Sequence, residues 1–289
     1  IRQDIYAGLC ANDIVGFQTK RCALNFLRGC QRFLPRAEID WETLSVNHAG
    51  RSTLVRAYPI SVDTGVLRES AGTKEVRSWH EQMKPVCGER TIVRIDRVDP
   101  SKNIVRGFQA YGVLLDCHPE WRGRVKFLAS LVPSRTGIPQ YRTYTEELLQ
   151  AAEDVNRRFG TTDWRPVEVF HSDSYPRSIA AMRLYDVLLV NPVADGMNLV
   201  AKEGPIINER DGVLVLSQRA GAYEQLGPAA IGIDPFDVPA TAEALHRALT
   251  MEEPEKRRRA HTLRSIIGSE DIRAWLSRQL DDIRSLRLS

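Results

Sequence analysis

The chain has 289 residues, 43% of them hydrophobic, and 40 basic residues against 37 acidic ones give a net charge of +3. That length and composition describe a globular protein of one large or two ordinary domains and exclude extensive disorder, while so small a charge excludes the basic footprint of a nucleic-acid binder. The five cysteines, Cys10, Cys22, Cys30, Cys87 and Cys117, form no CxxC pair and no histidine stands at ligand spacing; with no apolar run near the roughly 20 residues of a membrane span, a reducing cytoplasmic setting without structural metal is expected.

Apolar residues recur at helical spacing from Ile1 to about Leu34, interrupted by Asp13–Phe17, which predicts a helix, strand, helix unit. Thr43–Val46 and Leu54–Ile60, joined by the polar turn Asn47–Arg51, predict a hairpin with His48 facing solvent. The polar stretch from about Val66 to Lys84 reads as a linking helix, with a domain boundary near residue 85. Beyond it the alternation is regular. Strands are predicted at Thr91–Ile95, Val125–Val132, Val167–Phe170, Val187–Val190, Val213–Leu216 and Ala230–Ile233. Helices are predicted at about 103–117, 140–159, 178–184, 222–226 and 241–251. Strands alternating with helices over this length predict an α/β fold with a parallel sheet covered on both faces, and such sheets bind ligands at the carboxyl ends of their strands. The last apolar-periodic segment, Ile272–Leu286, predicts a C-terminal helix.

Three strand ends carry chemistry. After the strand at 187–190 comes Asp195-Gly196-Met197-Asn198-Leu199-Val200-Ala201-Lys202-Glu203. This reads as a tight turn opening a helix, whose free N–H groups at Asn198 and Leu199 suit an anion. With seven residues between them, Asp195 falls in the turn and Glu203 about two helical turns later. Carboxylates that accept hydrogen bonds from hydroxyls, beside N–H groups that hold a diphosphate, suit a sugar nucleotide, although Asp-Gly alone is an ordinary loop signal. After the first strand of this region, Arg97 and Lys102 flank a turn forced by Pro100 and could stabilise charge on a departing diphosphate, or simply bridge to Asp96 or Asp99. After the second, Val132-Pro133-Ser134-Arg135 offers either an anion-binding arginine or a helix cap at Ser134. Phe159–Trp164 reads as a helix stop with Trp164 packing, and Glu255–Arg259 as a solvated basic face.

Taken in order, Asp96–Lys102, Val132–Arg135 and Asp195–Glu203 resemble the signatures of the trehalose-6-phosphate synthase family, retaining glycosyltransferases of the GT-B fold with two facing Rossmann-like lobes. Pro100, Ser101 and Asn103 depart from the family's pattern, in which many members carry Tyr, an aliphatic residue and Gly. The resemblance implies that Arg97, Lys102 and Asp195 are catalytic. Donor binding would fall to Arg97 and Lys102 on the diphosphate, Asp195 on the glucosyl hydroxyls, Gly196 and the amides of Met197, Asn198, Leu199 and Val200 on sugar and phosphate, and Glu203 on the ribose. It further implies that Arg135 grips the phosphate of glucose 6-phosphate and that His171 and Tyr175 lie where the nucleobase is seated, uracil or guanine remaining open. No metal or other cofactor is expected, the substrates being UDP-glucose or GDP-glucose and glucose 6-phosphate. No nucleic acid or membrane partner is implied, and self-association as a homo-oligomer is left open.

On the same resemblance, residues 1–85 are the remainder of an acceptor lobe and linker, 86–270 the nucleotide-sugar lobe, and 271–289 a helix returning to the first lobe. The chain begins at Ile1 inside a predicted helix, so an upstream half of the first lobe is expected to be missing, and this chain alone is expected not to turn over. The activity implied is transfer of glucose to glucose 6-phosphate, giving trehalose 6-phosphate. The competing readings are a related synthase with another acceptor, such as a glucosylglycerol-phosphate synthase or a pseudo-glycosyltransferase, and a non-catalytic sugar-phosphate-binding regulatory lobe.

Overall fold

The structure, a computed structural model, describes residues 1–286. The chain forms two compact units: Ile1–Ser61 with the segment that starts at Glu270, and Val62–Ser269.

In the first unit, α1 (Arg2–Leu9), β1 (Ile14–Phe17), α2 (Lys20–Phe33), β2 (Glu38–Asp40), β3 (Ser45–His48) and β4 (Arg51–Ala57) follow in sequence. The sheet runs β1-β4-β3-β2, with β1 parallel to β4 and the other pairs antiparallel. The predicted hairpin is β3–β4, closed by Ala49 and Gly50, both at positive φ, the conformation that a two-residue turn between twisted strands demands. His48 ends β3 half-buried instead of facing solvent. Thr19 caps α2 by accepting the Cys22 N–H at 3.1 Å, and Leu27, Cys30, Val46 and Val55 are fully buried beneath it. The helix Ile272–Leu286 belongs to this unit. Its Trp275 indole donates to the Tyr58 carbonyl at 3.1 Å, and its Asp282 accepts the Tyr58 hydroxyl at 2.7 Å.

The second unit begins with α3 (Thr64–Ala71) and α4 (Lys74–Met83). The sequence predicts one helix there; Gly72 ends the first and the Thr73 hydroxyl caps the second at Val76 N–H, so two form, and both group with this unit. Strands and helices then alternate as β5 (Arg90–Arg97), α5 (Ile104–Cys117), β6 (Val125–Val132), α6 (Pro139–Phe159), β7 (Val167–His171), α7 (Tyr175–Leu184), β8 (Val187–Val190), α8 (Val200–Ile207), β9 (Val213–Ser217), α9 (Tyr223–Leu226), β10 (Ile231–Ile233), α10 (Val238–Leu249) and α11 (Glu253–Ser269), before the C-terminal α12 (Ile272–Leu286).

The six strands form the predicted parallel sheet, in the order β10-β9-β8-β5-β6-β7. Near-continuous Val, Ile and Leu runs make this possible, since both faces are covered by helices. Leu188, Leu189, Val215 and Leu216 are at most 1% exposed, and each such side chain contributes about 1.5–3 kcal/mol by leaving water. Phe108 and Tyr111 of α5 pack on Phe127 of β6, the Phe pair edge-on at 5.4 Å, and Trp164 packs into the same core after Gly160 ends α6.

Candidate functional site

Strand order reverses between β5 and β8: from β5 the chain moves outward through β6 and β7, then returns to β8 and continues the other way through β9 and β10. The loops after β5 and β8 therefore diverge at their carboxyl ends and leave a crevice, the place where open parallel sheets bind ligands. A cleft of about 390 Å³ lies there. It is walled by Ile95, Asp96 and Arg97 at the end of β5, Lys102 after it, Val132 ending β6, Asp173 before α7, Tyr175, Ser178 and Met182 along α7, and Val200 and Glu203 of α8.

The two loops are tied to one another through their backbones. Asn103 takes φ +60°, ψ +40°, a left-handed conformation that Asn tolerates better than most side chains, so the turn expected of a glycine is kept. Its amide donates to the carbonyls of Asn191 at 3.0 Å and Pro235 at 2.8 Å, linking the ends of β5, β8 and β10. Val193 N–H donates to the Ser101 carbonyl at 2.9 Å, and the Asn191 amide returns a bond to the Asn103 carbonyl at 3.2 Å.

Charges are arranged along this frame in a chain. Arg94, fully buried in β5, forks onto Asp96 Oδ2 with Nε at 3.2 Å and Nη2 at 2.7 Å. Lys102 Nζ lies 4.0 Å from Asp96 Oδ1 and 2.5 Å from Asp195 Oδ2. Burial pushes the Asp96 carboxyl upward, against the pull of Arg94 and Lys102. The Asn198 amide also donates to Asp195 Oδ2 at 3.1 Å, while its own Oδ1 caps α8 by accepting the Ala201 N–H at 3.1 Å. Glu203 has no ion-pair partner among the described residues, and burial raises its carboxyl pKa. Tyr175 is raised as well, by burial first and then by the charge of Glu203. Arg97 is exposed on the cleft wall, with no hydrogen bond or ion pair among the described residues. The cleft is thus lined by two cations, Arg97 and Lys102, with the buried Asp96 beside Lys102, and by the carboxylates of Asp173 and Glu203.

Comparison with known proteins adds the lineage. The model of glycosyltransferase family 20 matches residues 1–285. The chain belongs to glycosyltransferase family 20. A bifunctional trehalose-6-phosphate synthase/phosphatase from Thermoproteus tenax is 36% identical over 278 residues, which are 95% of this chain and 37% of that protein. A trehalose-6-phosphate synthase from Sodalis glossinidius is 32% identical, over 99% of this chain and 61% of its own length. A crystal structure of a UDP-forming α,α-trehalose-phosphate synthase from Burkholderia xenovorans superposes with a TM-score of 0.89 at 33% identity, covering 98% of this chain and 63% of that one. The chain thus spans between 37% and 63% of the length of these three proteins.

The family 20 motifs come together unevenly. Arg97, Lys102, Tyr175, Val200 and Glu203 line the cleft. Asp195 joins them through Lys102, with Gly196, Met197, Asn198 and Leu199 forming the turn behind it. That turn corrects the predicted helix start: Asn198 at φ +80° keeps residues 195–199 out of the helix, α8 begins at Val200, and Glu203 sits in its first turn instead of two turns along. The Met197 N–H turns back to Asp195 Oδ1 at 3.4 Å, leaving those of Asn198 and Leu199 unbonded among the described residues. Arg135 does not reach the cleft wall. It is exposed at φ +47° and donates to the Tyr141 hydroxyl at 2.7 Å, which in turn donates to Asp99 at 3.0 Å. Ser134 caps no helix, because α6 starts only at Pro139. His171 is exposed at the end of β7, the strand at the sheet's edge, and is not among the residues that wall the cleft.

Sequence reasoning missed Arg94, Ser178 and Met182, and it gave Asp173 no role of its own although Asp173 lies within the segment His171–Tyr175 that the resemblance places at the nucleobase. Only Arg94 gave a signal, as a charge inside an otherwise apolar strand. It also missed a cluster assembled by the fold, His118, Glu120 and His246, whose potential metal-binding atoms lie within 4.8 Å of one another. The two imidazoles stack at 3.5 Å and 8°, so their in-plane lone pairs run parallel instead of converging, and Trp121 Nε1–H already occupies His246 Nδ1 at 3.1 Å. The cluster is therefore poorly arranged to hold a metal.

Proposed function

We propose that the second unit binds a nucleoside-diphosphate glucose, and that the protein transfers its glucose to glucose 6-phosphate with retention, forming trehalose 6-phosphate. The observation that carries this reading is the cleft at the strand-order reversal, with Arg97, Lys102 and Glu203 among the residues that line it. An E. coli relative at 30% identity and TM-score 0.87 is bound with UDP-2-fluoro glucose, and a Burkholderia xenovorans synthase is in complex with glucose-6-phosphate. UDP-glucose is the preferred donor on this reading, since relatives across bacteria, fungi and plants carry the description UDP-forming.

In the proposed reaction the bond from the sugar's anomeric carbon to the diphosphate breaks, and a bond to the acceptor hydroxyl forms on the same face. The acceptor's proton passes to the departing phosphate oxygen, so no side-chain base is required, and because the acceptor attacks directly on that face no side-chain nucleophile is required either. Arg97 and Lys102 stabilise the charge that builds on the leaving diphosphate. Asp195 turns from Lys102 to the sugar hydroxyls, Glu203 accepts from the ribose, and the Asn198 and Leu199 amides face phosphate or sugar. Tyr175 flanks the nucleobase, and Arg135 holds the acceptor phosphate through its planar fork.

Calorimetric titration with UDP-glucose and GDP-glucose tests the donor half, and product analysis with glucose 6-phosphate tests the acceptor half. Binding of UDP-glucose is expected. Absence of binding to either nucleotide sugar would sink the enzymatic reading in favour of a non-catalytic lobe, and donor binding without transfer in the full polypeptide would point to another acceptor.

A further inference from the structure

Arg94 occupies the middle of β5, a position that in a strand paired on both sides ordinarily carries an aliphatic side chain. Its guanidinium is fully buried and wholly committed to one end of the cleft. Beyond the fork onto Asp96, Nη2 donates to the Lys102 carbonyl at 3.0 Å and Nη1 to the Ile104 carbonyl at 3.4 Å. Those two carbonyls bracket Asn103, where the chain turns from the cleft into α5. Gly107, one turn into that helix, makes the space: a Cβ there would lie 2.3 Å from Arg94 Nη1. A buried ion pair with well-packed surroundings is no more stabilising than an apolar pair of the same size, so its presence calls for an account in terms of what it orders.

We propose that Arg94 is a positioning residue for Lys102. It grips the Lys102 backbone from beneath and fixes the Asp96 carboxylate beside Nζ, so that the ammonium group is presented to a diphosphate in one place. Arg94 touches no ligand; its effect passes through Lys102 alone, and Arg97, to which it is not bonded, is independent. This inference rests on the nucleotide-sugar reading of the cleft.

A double-mutant cycle in UDP affinity, measured by calorimetry, tests it. Arg94→Lys keeps a cation for Asp96 but lacks the fork that reaches two carbonyls, and it is expected to weaken UDP binding about tenfold, equivalent to about 1.4 kcal/mol. In a Lys102→Ala background the same change is expected to cost nothing further, whereas in an Arg97→Ala background the tenfold loss returns in full. A structural role without positioning would lower the melting temperature and add equally to both backgrounds. Losses that add in the Lys102→Ala background, or an Arg94→Lys protein that binds UDP as the parent does, overturn the proposal while leaving the donor reading intact. Failure of the parent chain to bind UDP overturns both. Should Arg94→Lys not fold by circular dichroism, Gly107→Ala presses on the same guanidinium without changing any charge. The cycle is then run with Gly107→Ala: a loss of affinity that disappears in the Lys102→Ala background supports the proposal, and one that persists there overturns it.

Discussion

Lys102 Nζ and Asp195 Oδ2 stand 2.5 Å apart although 93 positions separate them in sequence. One follows β5 and the other follows β8, so the ion pair ties together the two loops that flank the reversal of strand order. Both residues belong to the motifs read from sequence, and their meeting turns two separate signals into a single site.

Arg97 and Lys102 should prove unequal in stability and similar in binding. Replacing either with alanine removes one charge-assisted hydrogen bond to a diphosphate, about 1.5–3 kcal/mol, and should weaken UDP affinity roughly 10- to 100-fold. Arg97→Ala should leave the melting temperature unchanged, since its side chain is exposed and makes no ion pair among the described residues. Lys102→Ala should lower it, because Asp195 loses its cation while Asp96 keeps only Arg94. Calorimetry and thermal denaturation of the two variants check both halves.

Glu203 gives the binding a pH dependence. Burial raises its folded-state pKa above the ordinary glutamate value, and the ionised carboxylate accepts hydroxyl donors more strongly than the protonated acid. Affinity for UDP-glucose, whose esterified diphosphate does not titrate near neutrality, should be full above the raised pKa and fall as pH drops through it. Stability runs the opposite way: the raised pKa means that the folded state holds the proton longer, so folding is favoured at low pH and loses that advantage as pH rises through the folded value. Glu203→Gln should flatten both profiles, and titrations across the acidic range would show it.

Asn103 should be more sensitive to alanine than to glycine. Alanine faces about 1–2 kcal/mol of left-handed strain in addition to three lost hydrogen bonds, to the Asn191 and Pro235 carbonyls and from Arg106, of about 1 kcal/mol each. Glycine loses the bonds alone. Denaturant unfolding of Asn103→Ala and Asn103→Gly should rank parent, glycine and alanine in falling order; equal losses would remove the conformational argument.

Asp96→Ala leaves Arg94 buried without its carboxylate and should destabilise the chain by about 3–5 kcal/mol. Arg94→Met combined with Asp96→Leu, which removes both charges, should recover much of that loss in urea unfolding while leaving UDP affinity low.

The parallel sheet was legible because Val, Ile and Leu runs such as Val187–Val190 and Val213–Leu216 recur between helical stretches, and a sheet covered on both faces needs such runs. Arg97, Lys102 and Glu203 were singled out by the resemblance of their segments to family motifs; spacing from the strand ends alone left Arg97 and Lys102 as readily a surface pair bridged to Asp96 or Asp99. Helix starts were less so. Glu203 was placed a turn too deep because the positive φ of Asn198, which delays α8, leaves no periodic trace. Ser178 and Met182 reach the cleft only through the packing of α7 against the sheet, information carried by contacts far apart in the chain. The stacked His118 and His246 are hidden for the same reason, meeting only where α5 and α10 pack together.

A crystal structure of the chain with UDP-glucose tests the central claim most directly. The claim predicts the diphosphate bonded to Arg97 and Lys102, Asp195 released toward the sugar, and the ribose hydroxyls on Glu203. A nucleotide bound elsewhere, with the Lys102 to Asp195 pair intact, would contradict it.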